Sequence, residues 1–308
     1  MKIRFEGNVK TLNAVEGVWK EVKRVDGFDN YSTVESRLNL ESLSGSKIAV
    51  LEDDSGEVCG YAVLKDVWDE KDGTHVFLID TDVKREYRGK AVEDTLLKEI
   101  EDHCTSLKVL EVKNVIGCNA TLKESNKIRL YSEHGYKEEI RLVEMEMILD
   151  EETVDSLKRQ IKELPFEIRS PRLNEYRAVY EMIFAAMVKG TIGETEPSEE
   201  DYQGFIEKET KRLDLGTFIW DNGKIIAQVT VGIDDEKAEI LELAVLPEYW
   251  RRGIGSQMML RTMLKIYESG MRRIRFHTDA YNRYGAKTMY EKLGFRVVDE
   301  SIRFRRQI

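Results

Sequence analysis

The sequence predicts an α/β protein built from two copies of one domain. Apolar runs with the alternation of strands are interleaved with apolar residues at helical spacing along the 308 residues. Landmarks also recur at a nearly constant distance: Tyr87 returns as Tyr249, 162 residues later, and Gly135 as Gly294, 159 residues later. Self-similarity at a fixed period indicates a duplicated unit, and a three-residue deletion between the landmarks explains the changed spacing.

The first copy is predicted from strand and helix patterns and from the hairpin turn signal Asp53-Asp54-Ser55-Gly56. A short apolar run at 107–112 is interpreted as a strand. The predicted order is a strand at 2–5, helices near 15–25 and 34–43, strands at 47–52, 58–67 and 74–83, a helix around 92–100, strands at 107–112 and 139–149, and a helix at 126–134 between these last two.

The second copy repeats that order, with a hairpin turn signal at Asp221-Asn222-Gly223. The predicted domains are therefore 1–149 and 166–308, joined by a polar helical connector at 150–165. The predicted elements are strands at 166–169, 218–220, 225–233, 239–245 and 273–278, helices at 175–187 and 199–213, a helix after 254 and a last helix that ends at Gly294.

Composition excludes several classes of protein. A chain with 41% hydrophobic and 34% charged residues can bury globular cores, and it has no apolar run of membrane-spanning length. We expect a cytoplasmic protein that does not bind membranes, and the net charge of −10 argues against binding of nucleic acid. Cys59, Cys104 and Cys118 share no C-x-x-C spacing, so no metal site is predicted.

The stretch at 239–256 carries the clearest functional signal. A mostly apolar strand at 239–245 leads into a turn with two arginines, Arg251 and Arg252, and two glycines, Gly253 and Gly255, before a helical pattern begins. The first N–H groups of a helix lack helical partners, and the helix dipole adds positive potential there. The stretch therefore predicts a binding site for an anion such as a diphosphate.

Two common phosphate-binding motifs do not fit this stretch, because no lysine follows Gly255 and no third glycine follows it at the dinucleotide-fold spacing. The stretch instead resembles the acetyl-CoA loop of the GNAT family of N-acetyltransferases, V-x-P-x-x-[RQ]-x-x-G-x-[GA]. Val245, Pro247, Gly253 and Gly255 match that pattern, whereas Trp250 replaces the usual Arg or Gln. The resemblance implies tandem GNAT-like domains, each with a mixed, central twisted sheet flanked by helices.

A second family motif follows downstream. Asn282, Ala286, Tyr290 and Gly294-Phe295 look like the family ending N-x-x-A-x-x-x-Y-x-x-x-G-F, with the asparagine one residue further from the tyrosine than is usual. Acetyl-CoA is then the implied cosubstrate. The resemblance assigns its contacts to the backbone of Leu243, Ala244 and Val245, to the N–H groups of Arg251, Arg252, Gly253, Ile254, Gly255 and Ser256, and to Asn282.

Acetyl transfer to an amine needs a group that accepts the amine proton and a group that protonates the leaving thiolate. Tyr290 matches the position of the general acid in many family members. Glu239 has the spacing from Gly253 that the histone-acetylating relatives use for the base. Glu242 lies three residues further, on the other face of an ideal strand unless a bulge changes the parity. Glu239, Glu242 or a chain of waters therefore accepts the proton.

The first copy departs from the loop motif. Ala91 stands where the second copy has Gly253, and Glu93 stands where it has Gly255. A carboxylate in the first turn favours the helix but repels a diphosphate. We therefore predict that the first copy is a degenerate acetyl-CoA loop, kept for packing or for shaping a substrate cleft.

The sequence thus predicts an N-acetyltransferase whose C-terminal copy acetylates a primary amine of a small molecule. A non-catalytic acyl-CoA sensor and an aminoacyl-tRNA-dependent peptidyl transferase are the alternatives. The acceptor depends on a loop near 189–197 and on the first copy, and the sequence does not name it.

Overall fold

The structure is a computed structural model that describes residues 1–6, 9–26, 47–68, 73–89, 91–187, 198–209, 212–234, 237–281 and 285–308. The predicted helix at 34–43 and the predicted acceptor loop at 189–197 lie outside these residues. The described strands are β1 (Lys2–Glu6), β2 (Lys47–Glu52), β3 (Val58–Trp68), β4 (His75–Val83), β5 (Asn114–Thr121), β6 (Lys137–Ile148), β7 (Glu167–Ile168), β8 (Thr217–Asp221), β9 (Lys224–Asp234), β10 (Lys237–Val245), β11 (Arg273–Asp279) and β12 (Arg296–Gln307). The described helices are α1 (Val9–Asp26), α2 (Val92–Ser106), α3 (Ser125–Glu133), α4 (Glu151–Gln160), α5 (Tyr176–Met187), α6 (Glu199–Glu209), α7 (Ile254–Glu268) and α8 (Ala286–Lys292).

The predicted strand at 107–112 is wrong. That segment is a loop, and the strand begins at Asn114. Leu110 is 87% exposed, and Glu111 has a left-handed backbone with φ 65°. The Asn114 side chain closes the loop, since its Oδ1 accepts from Val109 N–H at 3.0 Å and its Nδ2 donates to the Val109 carbonyl at 2.8 Å. The apolar residues at 107–112 resemble a strand in sequence, and only the turn closed by Asn114 shows that the segment is a loop.

The chain folds into two compact units. The first unit consists of residues 1–140 and 302–308, and the second of residues 141–301. This division differs from the predicted boundary at 149, because each copy completes its fold with a segment from the far end of the other copy's sequence. Ile302 and Phe304 are buried in the core of the first unit, while Val143 and Met145 are buried in the core of the second.

The predicted connector at 150–165 is also folded into the second unit. Val154 and Leu157 of α4 are each 2% exposed and belong to its core. Asp150 caps the helix by accepting from Thr153 N–H at 2.8 Å. Gln257 of α7 then fixes the chain beyond α4, because its Oε1 accepts from the backbone N–H of residue 162 at 2.7 Å.

Each unit contains a mixed sheet, as predicted for the α/β class. In the first unit the strand order is β1-β2-β3-β4-β5 followed by the end of β12, and in the second it is β6-β11-β10-β9-β8-β7. The pairs β4–β5 and β10–β11 are parallel, whereas β2–β3, β3–β4, β9–β10 and β8–β9 are antiparallel. Buried residues of α2 pack on the first sheet, buried residues of α5 and α7 pack on the second, and α4 packs on α7.

We predict that Phe304→Ala destabilises the first unit by about 3–5 kcal/mol, because it empties a core position that is 3% exposed. Hydrogen exchange should show lost protection in α2 and β3. Val298→Ala, at a residue of β12 that is 40% exposed, is the control and should change protection little. Lost protection in α7 rather than α2 would contradict the division of the chain.

Candidate active site

A left-handed turn connects β10 to α7. A short 3-10 helix (Pro247–Tyr249) ends the strand, and the backbone then adopts positive φ at Arg251 (61°) and Gly253 (76°). The first helical hydrogen bond runs from Gln257 N–H to the Gly253 carbonyl at 3.1 Å. The N–H groups of 254–256 therefore precede the helical ladder and have no partner within it.

The first unit keeps the shape of this turn. Gly89 (φ 79°) and Ala91 (φ 58°) stand 162 residues before Arg251 and Gly253 and have the same left-handed conformation. The first helical bond is also equivalent, from Thr95 N–H to the Ala91 carbonyl at 3.0 Å. The two turns thus have the same backbone, although glycine occupies a different position in each.

Trp250, which departs from the family motif, forms the same hydrogen bond as Arg88, its equivalent in the first unit. Trp250 donates its indole Nε1–H to the Val245 carbonyl at 2.6 Å. At the equivalent place Arg88 donates its Nε–H to the Val83 carbonyl at 2.7 Å. The indole therefore replaces the guanidinium as the donor that ties the turn to the end of the strand.

A second hydrogen bond fixes each turn to a hairpin. Tyr249 donates its hydroxyl to Asp221 Oδ2 at 2.8 Å, and Tyr87 donates to Asp53 Oδ2 at 2.9 Å. The bond to Asp53 raises the pKa of Tyr87 to about 12. Each pair holds the turn against the β-hairpin that precedes it.

A cavity of about 530 Å³ opens in the second unit beside this turn. The parallel pairing of β10 and β11 runs through Ala238↔Ile274 and Glu239↔Arg275, and the cavity lies where the two strands continue beyond it. Its wall includes the exposed strand edge and the start of α7. The lining residues on this side are Ile240, Leu241, Glu242, Leu243, Ala244, Val245, Tyr249, Trp250, Arg251, Gly253, Ile254, Gly255 and Ser256.

Tyr290 forms part of the opposite wall. It is 6% exposed, and its ring packs edge-on against Phe276 at 4.4 Å and lies 6.2 Å from Phe295. Burial raises the pKa of Tyr290 above its ordinary value, and the charge of Glu242 raises it further. The phenol therefore keeps its proton at neutral pH.

A β-bulge in β10 lies between the two candidate carboxylates. Ile240 pairs with Val231 and Glu242 with the adjacent Thr230, so Leu241 is the extra residue. The bulge brings Glu239 and Glu242 to the same face of the sheet. Glu242 lines the cavity, whereas Glu239 is not among the lining residues and pairs with Arg275 where the strands are still joined.

The two arginines of the turn have different environments. Arg251 lines the cavity. Arg252 is not among the described lining residues: its guanidinium lies 5.1 Å from the Tyr249 ring centre and donates to the Glu248 carbonyl at 3.0 Å. Asn282, the remaining predicted contact, lies outside the described residues.

Several lining residues escaped the sequence reasoning. His277 and Asp279 follow the buried Ile274 and Phe276 on β11, so the alternation of that strand could have indicated them. Of the others, Thr278 lies on the predicted strand at 273–278 and Ala286 in the second family motif, whereas no local pattern indicates the rest. The further lining residues are Leu142, Ala186, Thr278, Gly285, Ala286 and Met289.

The equivalent places in the first unit are filled by its own charged side chains. Glu93, at the position of Gly255, accepts a hydrogen bond from the Gly89 N–H at 2.9 Å. Lys127, at the position of Ala286, is 9% exposed, and its Nζ lies 3.1 Å from Asp80 and 3.0 Å from Asp82. Asp80 itself stands at the position of Glu242.

A strand pair that separates beside a glycine-containing turn and a helix N-terminus, repeated in two units, is the arrangement of an acyltransferase fold. The model of the Acetyltransferase (GNAT) family matches the chain twice, at residues 18–136 and 176–295. The protein belongs to the GNAT family and is a tandem member of it. The predicted family and fold are thereby confirmed.

Solved structures agree with this fold. A GCN5-related N-acetyltransferase from Sphaerobacter thermophilus has a TM-score of 0.71 and 18% identity, with 99% of this chain and 95% of that chain covered. A tandem GNAT protein from the clavulanic acid biosynthesis pathway has a TM-score of 0.64 and 11% identity, with 99% and 98% covered. A GNAT-family acetyltransferase from Colwellia psychrerythraea has a TM-score of 0.59 and 12% identity, with 99% of each chain covered.

No curated protein matches the chain. Within the described ranges, no helix is both long and apolar enough to cross a membrane. The same residues contain no group of three or more His, Cys, Asp or Glu side chains placed to hold a metal ion.

We predict that Gly253→Ala and Ala91→Gly change the free energy of unfolding in opposite directions. Gly253→Ala should lower the free energy of unfolding by about 1 kcal/mol, because alanine is strained at φ 76°. Ala91→Gly should raise it by a similar amount for the same reason. Gly17→Ala, on the exposed side of α1 with nothing near its Cβ, is the control and should stabilise by about 0.5–1 kcal/mol. Urea unfolding measures all three, and a stabilising Gly253→Ala would refute the assigned turn.

Proposed function

We propose that the second unit transfers the acetyl group of acetyl-CoA to the primary amine of a small molecule. The observation that carries this proposal is the contrast between the units. In the second, the turn, the separated strand edge, Glu242 and Tyr290 meet at one open cavity. In the first, Glu93 and Lys127 fill the equivalent positions.

The turn is suited to an anion. In the first unit the same backbone already binds one, since the Glu93 carboxylate accepts from the N–H of Gly89. In the second unit Gly255 has no side chain to reach that place, and a Cβ there would lie 3.3 Å from Met289 Sδ. We infer that the diphosphate of coenzyme A binds the N–H groups of residues 251–256, with Arg251 adding a full positive charge.

The edge of β10 is suited to the pantetheine arm. Leu243, Ala244 and Val245 line the cavity beyond the point where β10 and β11 pair. Backbone groups on such a free edge can pair with the amides of an extended ligand. We assign the backbone of these three residues to that role.

The proton steps are assigned to Glu242 and Tyr290. A C–N bond forms to the acceptor and the C–S bond of the thioester breaks. Glu242 accepts the proton that the amine loses, and Tyr290 donates its proton to the departing sulfur. Glu239 stays outside the chemical step, because it lies where the two strands are still joined.

The acceptor is proposed to be a cationic amine. Glu242 and Asp279 line the cavity, and Arg251 is assigned to the diphosphate. Carboxylates at the acceptor side attract an ammonium group and discriminate against an anionic acceptor. The net charge of −10 further disfavours tRNA as a substrate.

We predict that Gly255→Glu weakens acetyl-CoA binding about 100-fold or more, because it reproduces the carboxylate of the first unit inside the phosphate site. Isothermal titration calorimetry on the full chain measures the change. Gly255→Gln has nearly the same volume without the charge and should weaken binding much less. Equal losses in the two variants would show that volume alone, rather than charge, excludes the ligand.

We predict that Tyr290→Phe lowers kcat about 100-fold or more with little change in KM for acetyl-CoA, since it removes the acidic proton but keeps the packed ring. Release of free thiol from acetyl-CoA in the presence of small amines, amino acids and polyamines measures turnover. Tyr131→Phe, at the equivalent position of the first unit, is the matched control and should leave turnover unchanged. Full activity of Tyr290→Phe would remove Tyr290 as the acid.

The same assay separates the rival functions. Acetyl-CoA binding without thiol release for any acceptor would favour a non-catalytic acyl-CoA sensor. Tight tRNA binding at low salt would favour a peptidyl transferase.

A further inference from the structure

Two buried polar side chains of the second unit make no hydrogen bond within the part of the chain that the structure describes. Gln228 and Thr230 of β9 are both 0% exposed. Gln228 Nε2, Gln228 Oε1 and Thr230 Oγ1 make no hydrogen bond to any described group. Three polar atoms of one strand are thus buried without a hydrogen-bond partner among the described residues.

Other buried polar groups of this unit are paired. Thr217 and Thr262, also 0% exposed, share a hydrogen bond of 2.8 Å between their hydroxyls. Gln257, which is 8% exposed, donates to the Gln160 carbonyl at 3.0 Å. Buried polar atoms are normally satisfied by protein or by an ordered water, so the exception at Gln228 and Thr230 indicates a bound polar molecule.

The register shows what this molecule reaches. Thr230 is paired directly with Glu242, and Gln228 is paired with Ala244. Directly paired residues project to the same face, so Gln228 and Thr230 share a face with the carboxylate that lines the cavity. A water between these two side chains and Glu242 meets acceptors on the carboxylate side and both donors and acceptors on the side of Gln228 and Thr230. These partners are enough for the roughly three hydrogen bonds that a buried water usually makes.

We propose that Gln228 and Thr230 hold an internal water that donates a hydrogen bond to the Glu242 carboxylate, and that they are positioning residues for this base. The role of Glu242 rests on the proposed function, whereas the water site does not. The water fixes the carboxylate rotamer and stabilises its charged form.

Other titratable groups share the strand face or the cavity of Glu242. Glu239 shares its strand face, and Arg251, His277 and Asp279 line the same cavity. Tyr290 faces it from α8. None of these groups is changed by substitution at Gln228 or Thr230, so their charges are common to all the variants compared.

The test removes the polar atoms and keeps the volume. In Gln228→Met and in Thr230→Val, the pKa of the Glu242 carboxyl should rise by about one unit, because loss of a donor disfavours the charged form. Carbon-13 NMR titration measures it, with Glu242→Gln identifying the signal. The acid limb of kcat/KM should move to higher pH by the same amount, with KM for acetyl-CoA unchanged.

Two further variants separate positioning from packing. Thr230→Ser keeps the hydroxyl and should retain the wild-type pKa of Glu242. Thr217→Val removes a buried hydroxyl that has a protein partner, so it should lower stability without moving the acid limb. An unchanged Glu242 pKa in both Gln228→Met and Thr230→Val would overturn the proposal.

A crystal structure of the wild-type protein supplies the second measurement. An ordered water bonded to Gln228, Thr230 and Glu242 supports the proposal, and a dry site overturns it. If the wild-type protein transfers no acetyl group, the proposed function fails, but the titration and the crystal structure still decide the water site.

Discussion

The left-handed backbone at the N-terminus of α7 is the constraint on which the site depends. Gly253 adopts φ 76°, which lets the chain leave β10 and enter the helix within one tight turn. The unpaired N–H groups of the first helical turn are thereby brought beside the strand edge that lines the cavity. Two hydrogen bonds outside the turn hold it in place, from Trp250 to the end of the strand and from Tyr249 to the hairpin. One backbone conformation therefore positions both the unpaired N–H groups and the strand edge.

The two units share the backbone geometry of the turn but differ in the side chains around it. The first unit keeps the turn at a cost, since Ala91 adopts a conformation that glycine takes without strain. The side chains beside the turn differ: in the first unit Glu93 accepts from the Gly89 N–H, and Lys127 forms ion pairs with Asp80 and Asp82. A buried lysine needs compensating charge, and Asp80 and Asp82 supply it. Loss of one member of this network would leave a buried charge without compensation. The first unit thus has the same fold, with its own side chains at the positions that line the cavity in the second unit.

The exchange of segments explains why the duplicated chain is more than two domains in series. The second unit contains residues 141–148, and the first contains residues 302–308. Each segment supplies core residues, among them Met145 for the second unit and Phe304 for the first. A fragment cut at 149 would therefore lack a sheet strand of the second unit. Both units consequently require the full chain, even though the proposed function uses the cavity of the second unit alone.

The sequence by itself determined the duplication, the α/β class, the glycine turn and most element positions, because these depend on local periodicity and on backbone conformation. Gly294, predicted to end α8, does so with φ 101°. Only the tertiary structure decided the rest. The bulge at Leu241 brings Glu242 to the same face as Glu239, and of these two carboxylates Glu242 lines the cavity. Side-chain packing turns Arg252 away while Arg251 lines the cavity. The false strand at 107–112 and the exchanged segments have the same physical reason: pairing register and long-range contacts are properties of the assembled sheet and leave no local pattern in the chain.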